Sequence, residues 1–306
     1  MTKVYRDILS LSQEVNAAVQ NHSGVNYGEL HIGLGELAGM DGFILQYAAV
    51  YAPEPIGVAH IFSRVPYSNP DKLKRDLSEA NERGWLEPVD DGVYTVSHNG
   101  QTWFDRLVDS AKQDAQVLAK KTKVNIERGL EITQRVLDGA EHTEMIADKP
   151  GMVHSVLYRE KEGEVPPFYR FRSNLIEFSA YRDDCHVAAW RTKEVEGYVW
   201  EAFALLADGE INSSKELLEK RPNRGYQEAD YDTAFHKLVE SGWLKAGKNG
   251  HTLSGQGKLI RQEVENLTDE YFAGAFVALA TNEVQELTAM LEQMKIEFAE
   301  EAVLQT

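Results

Sequence analysis

Two stretches decide how this chain reads: "NERGWLEPVDDGVYTVSHNG" at 81–100 and "VESGWLKAGKNGHTLSGQGK" at 239–258. Both hold Gly-Trp-Leu, a Gly-containing turn, Thr-apolar-Ser, and a glycine three residues after that serine. Gly84 and Gly242 suit the left-handed position that ends a helix. Trp and Leu then open a strand, and Asp91-Gly92 or Asn249-Gly250 makes a tight hairpin turn. Residues 93–96 and 251–253 return as the second strand.

Working outward, 42–86 and 197–244 share one plan. Each opens with Gly-aromatic and a short apolar helix, Ile44 to Tyr51 in one and Val199 to Leu206 in the other. A turn follows, Pro53-Glu54-Pro55 or Asp208-Gly209-Glu210, then a second short helix and a polar break. A third helix closes on Gly-Trp-Leu. Asn69 is suited to cap that helix in the first copy, with Pro70 at the first helical position, where its missing N–H does no harm. Leu73, Leu77 and Ala80 recur at helical spacing there, as Ala234 and Leu238 do in the second copy. The interval between the opening and closing glycines differs by only three residues between the copies. Three helices and a hairpin make a winged helix-turn-helix unit, present twice.

Each unit is expected to run into a long apolar-striped helix, 101–139 and 259–294, the latter bent near Thr281-Asn282. Stripes of that length suit helix–helix packing. The fold class is therefore mainly α with small β-hairpin wings: tandem winged helix-turn-helix units with long packing helices. An amphipathic helix carrying Ile8, Leu11, Val15 and Val19 precedes them. Residues 141–172, broken by Pro150-Gly151, Gly163 and Pro166-Pro167, read as a junction between an N-terminal domain (1–140) and a C-terminal one (173–306), and 173–191 as the helix leading into the second unit. The order of short helices, hairpin and long packing helix resembles the MarR-like winged-helix regulators over roughly 42–120 and 197–295. Such regulators usually dimerise through their outer helices, so two units on one chain imply an internal pseudo-dimer.

Composition limits function. The chain has 306 residues, 42% hydrophobic, with one cysteine, Cys185, which excludes an internal disulfide and a multi-Cys zinc site. No apolar run approaches the ~18 residues that span a bilayer, and the N-terminus lacks a signal-peptide core. The expected setting is cytoplasmic. No His-Glu-x-x-His or Gly-x-Ser-x-Gly element occurs, and the Gly33, Gly35, Gly39 segment fits neither a P-loop nor a dinucleotide fingerprint. Asp183 and His186 lie one turn apart but lack metal-ligand partners. Neither metal nor cofactor is expected, and the chain reads as a non-enzyme; a site at the domain junction is the weakest alternative.

The resemblance implies duplex DNA as partner, the third helix entering the major groove and the wing meeting the backbone. Candidates on the first copy are Ser68, Asn69, Lys72, Lys74 and Arg75; on the second they are Arg221, Arg224, Lys245 and Lys248. A net charge of −17 repels a polyanion unless cations gather on one face. The first wing carries Asp90 and Asp91, and the second third helix carries four acids against Lys237. The resemblance also implies a small-molecule effector between a winged unit and its packing helices, with Tyr181, Arg182, His186 and Trp190 as candidates. The rival reading is a non-catalytic module that docks a protein partner or a second copy of itself.

Overall fold

The computed structural model of the chain describes residues 2–23, 40–248 and 250–303. Gly33, Gly35, Gly39 and Asn249 of the second hairpin turn lie outside them. The chain is mostly helical, with one three-stranded and one two-stranded antiparallel sheet, an architecture compatible with winged helix-turn-helix units. Helix α1 spans Thr2–Asn21. The first unit contains α2 (Met40–Tyr51), β1 (Ile56–Gly57), α3 (Val58–Arg64), α4 (Pro70–Glu82), β2 (Leu86–Asp90) and β3 (Val93–Val96). Its strands lie in the order β1-β3-β2, with Ile56 opposite Tyr94 and Leu86 opposite Val96.

Next come α5 (His98–Leu118), α6 (Ile126–His142), α7 (Pro150–Glu162) and α8 (Pro167–Arg191). The second unit comprises α9 (Gly197–Ala207), α10 (Ser214–Lys220), a 3-10 turn (Pro222–Arg224), α11 (Glu228–Glu240) and the hairpin β4 (Leu244–Gly247) and β5 (Gly250–Leu253). Helices α12 (Gly255–Ala273) and α13 (Thr281–Val303) follow.

Three expectations need correction. The stretch 259–294 is not one bent helix: α12 ends at Ala273, a 3-10 turn (Gly274–Phe276) follows, and α13 starts at Thr281. The stretch 101–139 is not one helix: α5 ends, a 3-10 turn follows, and Asn125 restarts the chain as a cap, its side chain accepting from Arg128 N at 3.1 Å. Glu297 of α13 holds the break, accepting from Thr122 Oγ1 at 2.6 Å and from Lys123 N at 3.2 Å. The stretch 141–172 also carries helix α7. Pro150 and Pro167 stand in the first turns of α7 and α8, where a missing N–H costs nothing. Asp184, reaching across from α8, accepts from Gly151 N (2.8 Å) and Met152 N (2.9 Å) and so caps α7 from outside its own sequence.

The largest core lies around α8. Phe171, Leu175, Phe178 and Cys185 of that helix are buried against Val15 of α1, Ile132 and Val136 of α6, Phe272 of α12 and Leu287 and Leu291 of α13. This core draws residues from both sides of 141–172. Smaller cores lie around Leu73, Leu77 and Ile61 in 40–96 and around Phe203, Phe235 and Leu238 in 197–253. Side-by-side burial of this kind, rather than propensity, supplies most helix stability in a globular protein.

Candidate nucleic-acid interface and the seam behind it

The repeated sequence stretch builds the same corner in both places. Gly84 (φ +77°) and Gly242 (φ +75°) turn the chain out of α4 and α11. Trp85 N then donates to Ala80 O at 3.0 Å, and Trp243 N to Leu238 O at 2.9 Å. Ser97 returns from the hairpin and donates its N–H to Trp85 O at 3.0 Å; Ser254 does the same to Trp243 O at 3.0 Å. Each serine hydroxyl donates to the turning glycine's carbonyl at 2.7 Å and accepts from the N–H three residues on, Gly100 at 3.0 Å and Gly257 at 2.9 Å. The last glycine is required by space: a Cβ on Gly100 would stand 2.6 Å from Trp85 O, and one on Gly257 would stand 2.2 Å from Trp243 O. The serine thus caps the following helix while clamping the wing to the end of the third helix.

The candidate DNA contacts separate into three groups. Ser68 is fully buried and contributes no surface. Asn69, Lys72, Arg221 and Arg224 meet at a seam where the first unit packs on the second. Asn69 caps α4 through its side chain (2.9 Å to Asp71 N), and its own N–H donates to Arg224 O at 2.8 Å. Lys72 pairs with Asp76 at 2.5 Å, and its side chain lies against Gly225, where a Cβ would stand 2.5 Å from Lys72 Cβ. The Arg224 guanidinium sits 5.5 Å from the Tyr67 ring centre and bonds Glu201 at 2.8 Å, and Arg221 reaches the same carboxylate at 3.2 Å. Glu201 is buried, so these guanidiniums neutralise a carboxylate before they can meet a phosphate. Gly197 completes the seam, since a Cβ there would stand 2.0 Å from Pro66 O.

The third group remains open. Lys74 and Arg75 lie exposed on the outer face of α4, and Lys245 and Lys248 lie exposed on the second wing. Among the described residues, none of these four cations enters an ion pair. The acids Asp90 and Asp91 on the first wing are exposed too, as are Glu228, Asp232 and Glu240 on α11.

The candidate effector residues form a packed polar layer. Tyr181, buried, donates its hydroxyl to Tyr271 O at 3.0 Å, and burial pushes its pKa up. Arg182 meets Glu265 and Asp269, each at 3.4 Å. Trp190 donates to Tyr67 Oη at 3.0 Å and stacks with Trp200 at 6.2 Å, tying α8 to the seam. Trp200 Nε1, which can only donate, faces His186 Nε2 at 3.2 Å, so Nδ1 carries the proton toward Thr268 Oγ1 at 3.3 Å. Burial holds this neutral imidazole at a pKa of about 4. His186 also borders a cavity of about 270 Å³ that it shares with Arg64, Tyr67 and Arg224. Asp183 turns to Arg64 at 3.0 Å. Among the described residues, no group of three or more His, Cys, Asp or Glu side chains is gathered to hold a metal ion.

Sequence reasoning misses Glu201, Tyr67 and Gly225, the residues that make the seam. Arg221 and Arg224 stand out as cations, but nothing local signals that their partner lies a helix away. Residues 180–305, less than half of the chain, match the model of a helix-turn-helix family. That span holds α9 to α12 and the second hairpin, which together form a helix-turn-helix domain. No curated protein and no solved structure matches the chain. No helix among the described residues is long and apolar enough to cross a membrane.

Proposed function

We propose that the chain is a DNA-binding transcriptional regulator built from two copies of one MarR-like winged helix-turn-helix unit, joined through 141–172 and acting without a catalytic site. The observation that carries this reading is the helix-turn-helix family match, to a span whose corner hydrogen bonds recur around Trp85. DNA contacts fall to Lys74 and Arg75 on α4 and to Lys245 and Lys248 on the second wing, the open members of the candidate set. Asn69, Lys72, Arg221 and Arg224 fix the two units relative to each other instead. With so few open cations on a chain of charge −17, affinity rests on few phosphate contacts and is therefore weak, best seen at low salt.

Fluorescence anisotropy with a mixed-sequence duplex between ~50 and ~200 mM salt tests this. Retention at ~50 mM that weakens with salt supports it; no retention at ~50 mM overturns it, given how strongly low salt favours phosphate contacts. A second reading has its own observation: the exposed acids of α11, Glu228, Asp232 and Glu240, offer a docking face to a basic protein surface. Absence of DNA binding together with capture of a basic partner abolished by Asp232→Lys would favour it.

A further inference from the structure

The two third helices begin beside each other. Gly225 stands just ahead of α11, and a Cβ on it would lie 2.5 Å from Lys72 Cβ in the first turn of α4. The chain from Gly225 to Glu228, the first residue of α11, reaches at most about 11 Å. Lys72 and Glu228 are therefore no more than about 17 Å apart. Close packing enforces this. Asn69 N donates to Arg224 O at 2.8 Å, and Trp190 Nε1 of α8 donates to Tyr67 Oη at 3.0 Å. Pro66 O leaves no room for a side chain on Gly197, the first residue of α9, and Tyr67 packs against the core of the second unit.

Duplex DNA asks for a different spacing. Paired helix-turn-helix units that read two half-sites place the N-terminal residues of their recognition helices in successive major grooves, about 34 Å apart. The two first turns here reach only about half that distance. A single groove is no alternative for both, because it is about 12 Å wide and one helix with its side chains fills about 10–12 Å. Only one third helix enters at a time, and charge selects it. Helix α4 shows Lys74 and Arg75 outward, whereas α11 shows Glu228 and Asp232 in its first two turns. Asp230 accepts from Gln227 N at 2.8 Å and Asp232 from Ser214 Oγ at 2.5 Å, so these acids are fixed at the end that would approach the bases. Carboxylates held there repel the phosphates of both groove walls.

We infer that one chain enters a single major groove, through α4, while α11 stays outside the duplex. The DNA partner of one chain is then a single half-site, and a two-fold symmetric operator takes two chains. This rests on the DNA-binding reading above and departs from an internal pseudo-dimer, in which both third helices would read at once. Lys245 and Lys248, on the wing beyond the far end of α11, are left for the flanking backbone.

The full chain is titrated by fluorescence anisotropy at ~50 mM salt with mixed-sequence duplexes of about 12 and about 24 base pairs, which offer one and two successive grooves. The expected result is one chain on the short duplex and two on the long one, with affinities that differ only through the extra positions a longer lattice offers. Ala229→Trp, at an exposed position in the first turn of α11, leaves both unchanged. Lys74→Ala with Arg75→Ala weakens both at least about ten-fold. One chain on the long duplex, held about a hundred-fold tighter than on the short one, is the mark of two linked grooves; it overturns the inference and leaves DNA binding standing. Weakening by Ala229→Trp overturns it too, as does binding that survives the loss of Lys74 and Arg75 unchanged. Failure to bind either duplex overturns the DNA-binding reading itself and this inference with it.

Discussion

The stretches 42–100 and 197–257 share a helix-to-hairpin corner and differ in chemistry. Around Trp85 and around Trp243 the same backbone and serine bonds recur to within 0.1 Å. The first arrangement has a third strand, Ile56–Gly57 on β3. In the second, a single bond from His251 N to Asn212 O (2.8 Å) stands in its place. The third helices diverge most. Helix α4 has its cap Asn69 bonded to Arg224 of the other unit and shows Lys74 and Arg75 outward, whereas α11 shows acids outward and leaves the cations to its wing. The corner is constrained by backbone geometry, which tolerates few side chains. The helix faces are constrained by what they touch, and α4 and α11 touch different things.

The largest effect should come from breaking the shared corner. Gly257→Val or Gly100→Val drives a side chain into a tryptophan carbonyl, and each is expected to destabilise its own unit by more than about 3 kcal/mol. Chemical denaturation with hydrogen exchange on each unit measures it; tolerance of either change would show that the corner does not set the fold. Next is the seam, whose buried carboxylate, Glu201, comes from α9 alone. Glu201→Gln leaves Arg221 and Arg224 without their carboxylate and is expected to cost about 2 kcal/mol, allowing for their partial exposure. Exchange protection at Asn69 and Lys72 should fall with it, while that of the second corner holds.

The difference in open cations is tested by DNA affinity. Lys74→Ala with Arg75→Ala, and Lys245→Ala with Lys248→Ala, should each lower the salt slope of binding by about 2, since each removed cation leaves one phosphate without its neutralising partner. A slope that responds to only one pair would assign DNA contact to that copy.

The neutral histidines behind the two units give a further contrast. His154 and His186 are both pushed down to about 4 by burial, below the ordinary value near 6.5. The stability they contribute is full above pH 6.5 and is lost as pH falls toward 4. Glu177, pushed up to about 8, acts oppositely and loses its contribution as pH rises through that value. Replacing either histidine with glutamine should flatten the acid limb between pH 6.5 and 5 by on the order of 1 kcal/mol, read from denaturation midpoints. The smallest effect is expected at the turning glycines. Gly84→Ala and Gly242→Ala each place a side chain at positive φ, costing about 1 kcal/mol apiece in thermal unfolding.

Much of this is legible locally. Asn69 as cap, Pro70 in the first turn, the glycine stops and the hairpins follow from residues within a few positions of one another, and the structure places them as the spacing predicts. Helix breaks are harder to read. The end of α5 depends on Glu297 and the start of α7 on Asp184, each far away in sequence. Proline in 141–172 reads as a breaker, although a helix start uses it equally well. Among candidate site residues, charge alone does not tell Lys72, which lies on Gly225, from Lys74, two positions on and facing solvent.

By itself the sequence determined the corner, because a glycine at positive φ, a serine cap and a glycine under a carbonyl are short-range steric demands. Only the tertiary structure decided which cations remain open and where the seam lies. Those depend on surfaces brought together across more than a hundred residues, and burial, not residue type, settles whether a charge meets a partner or the solvent.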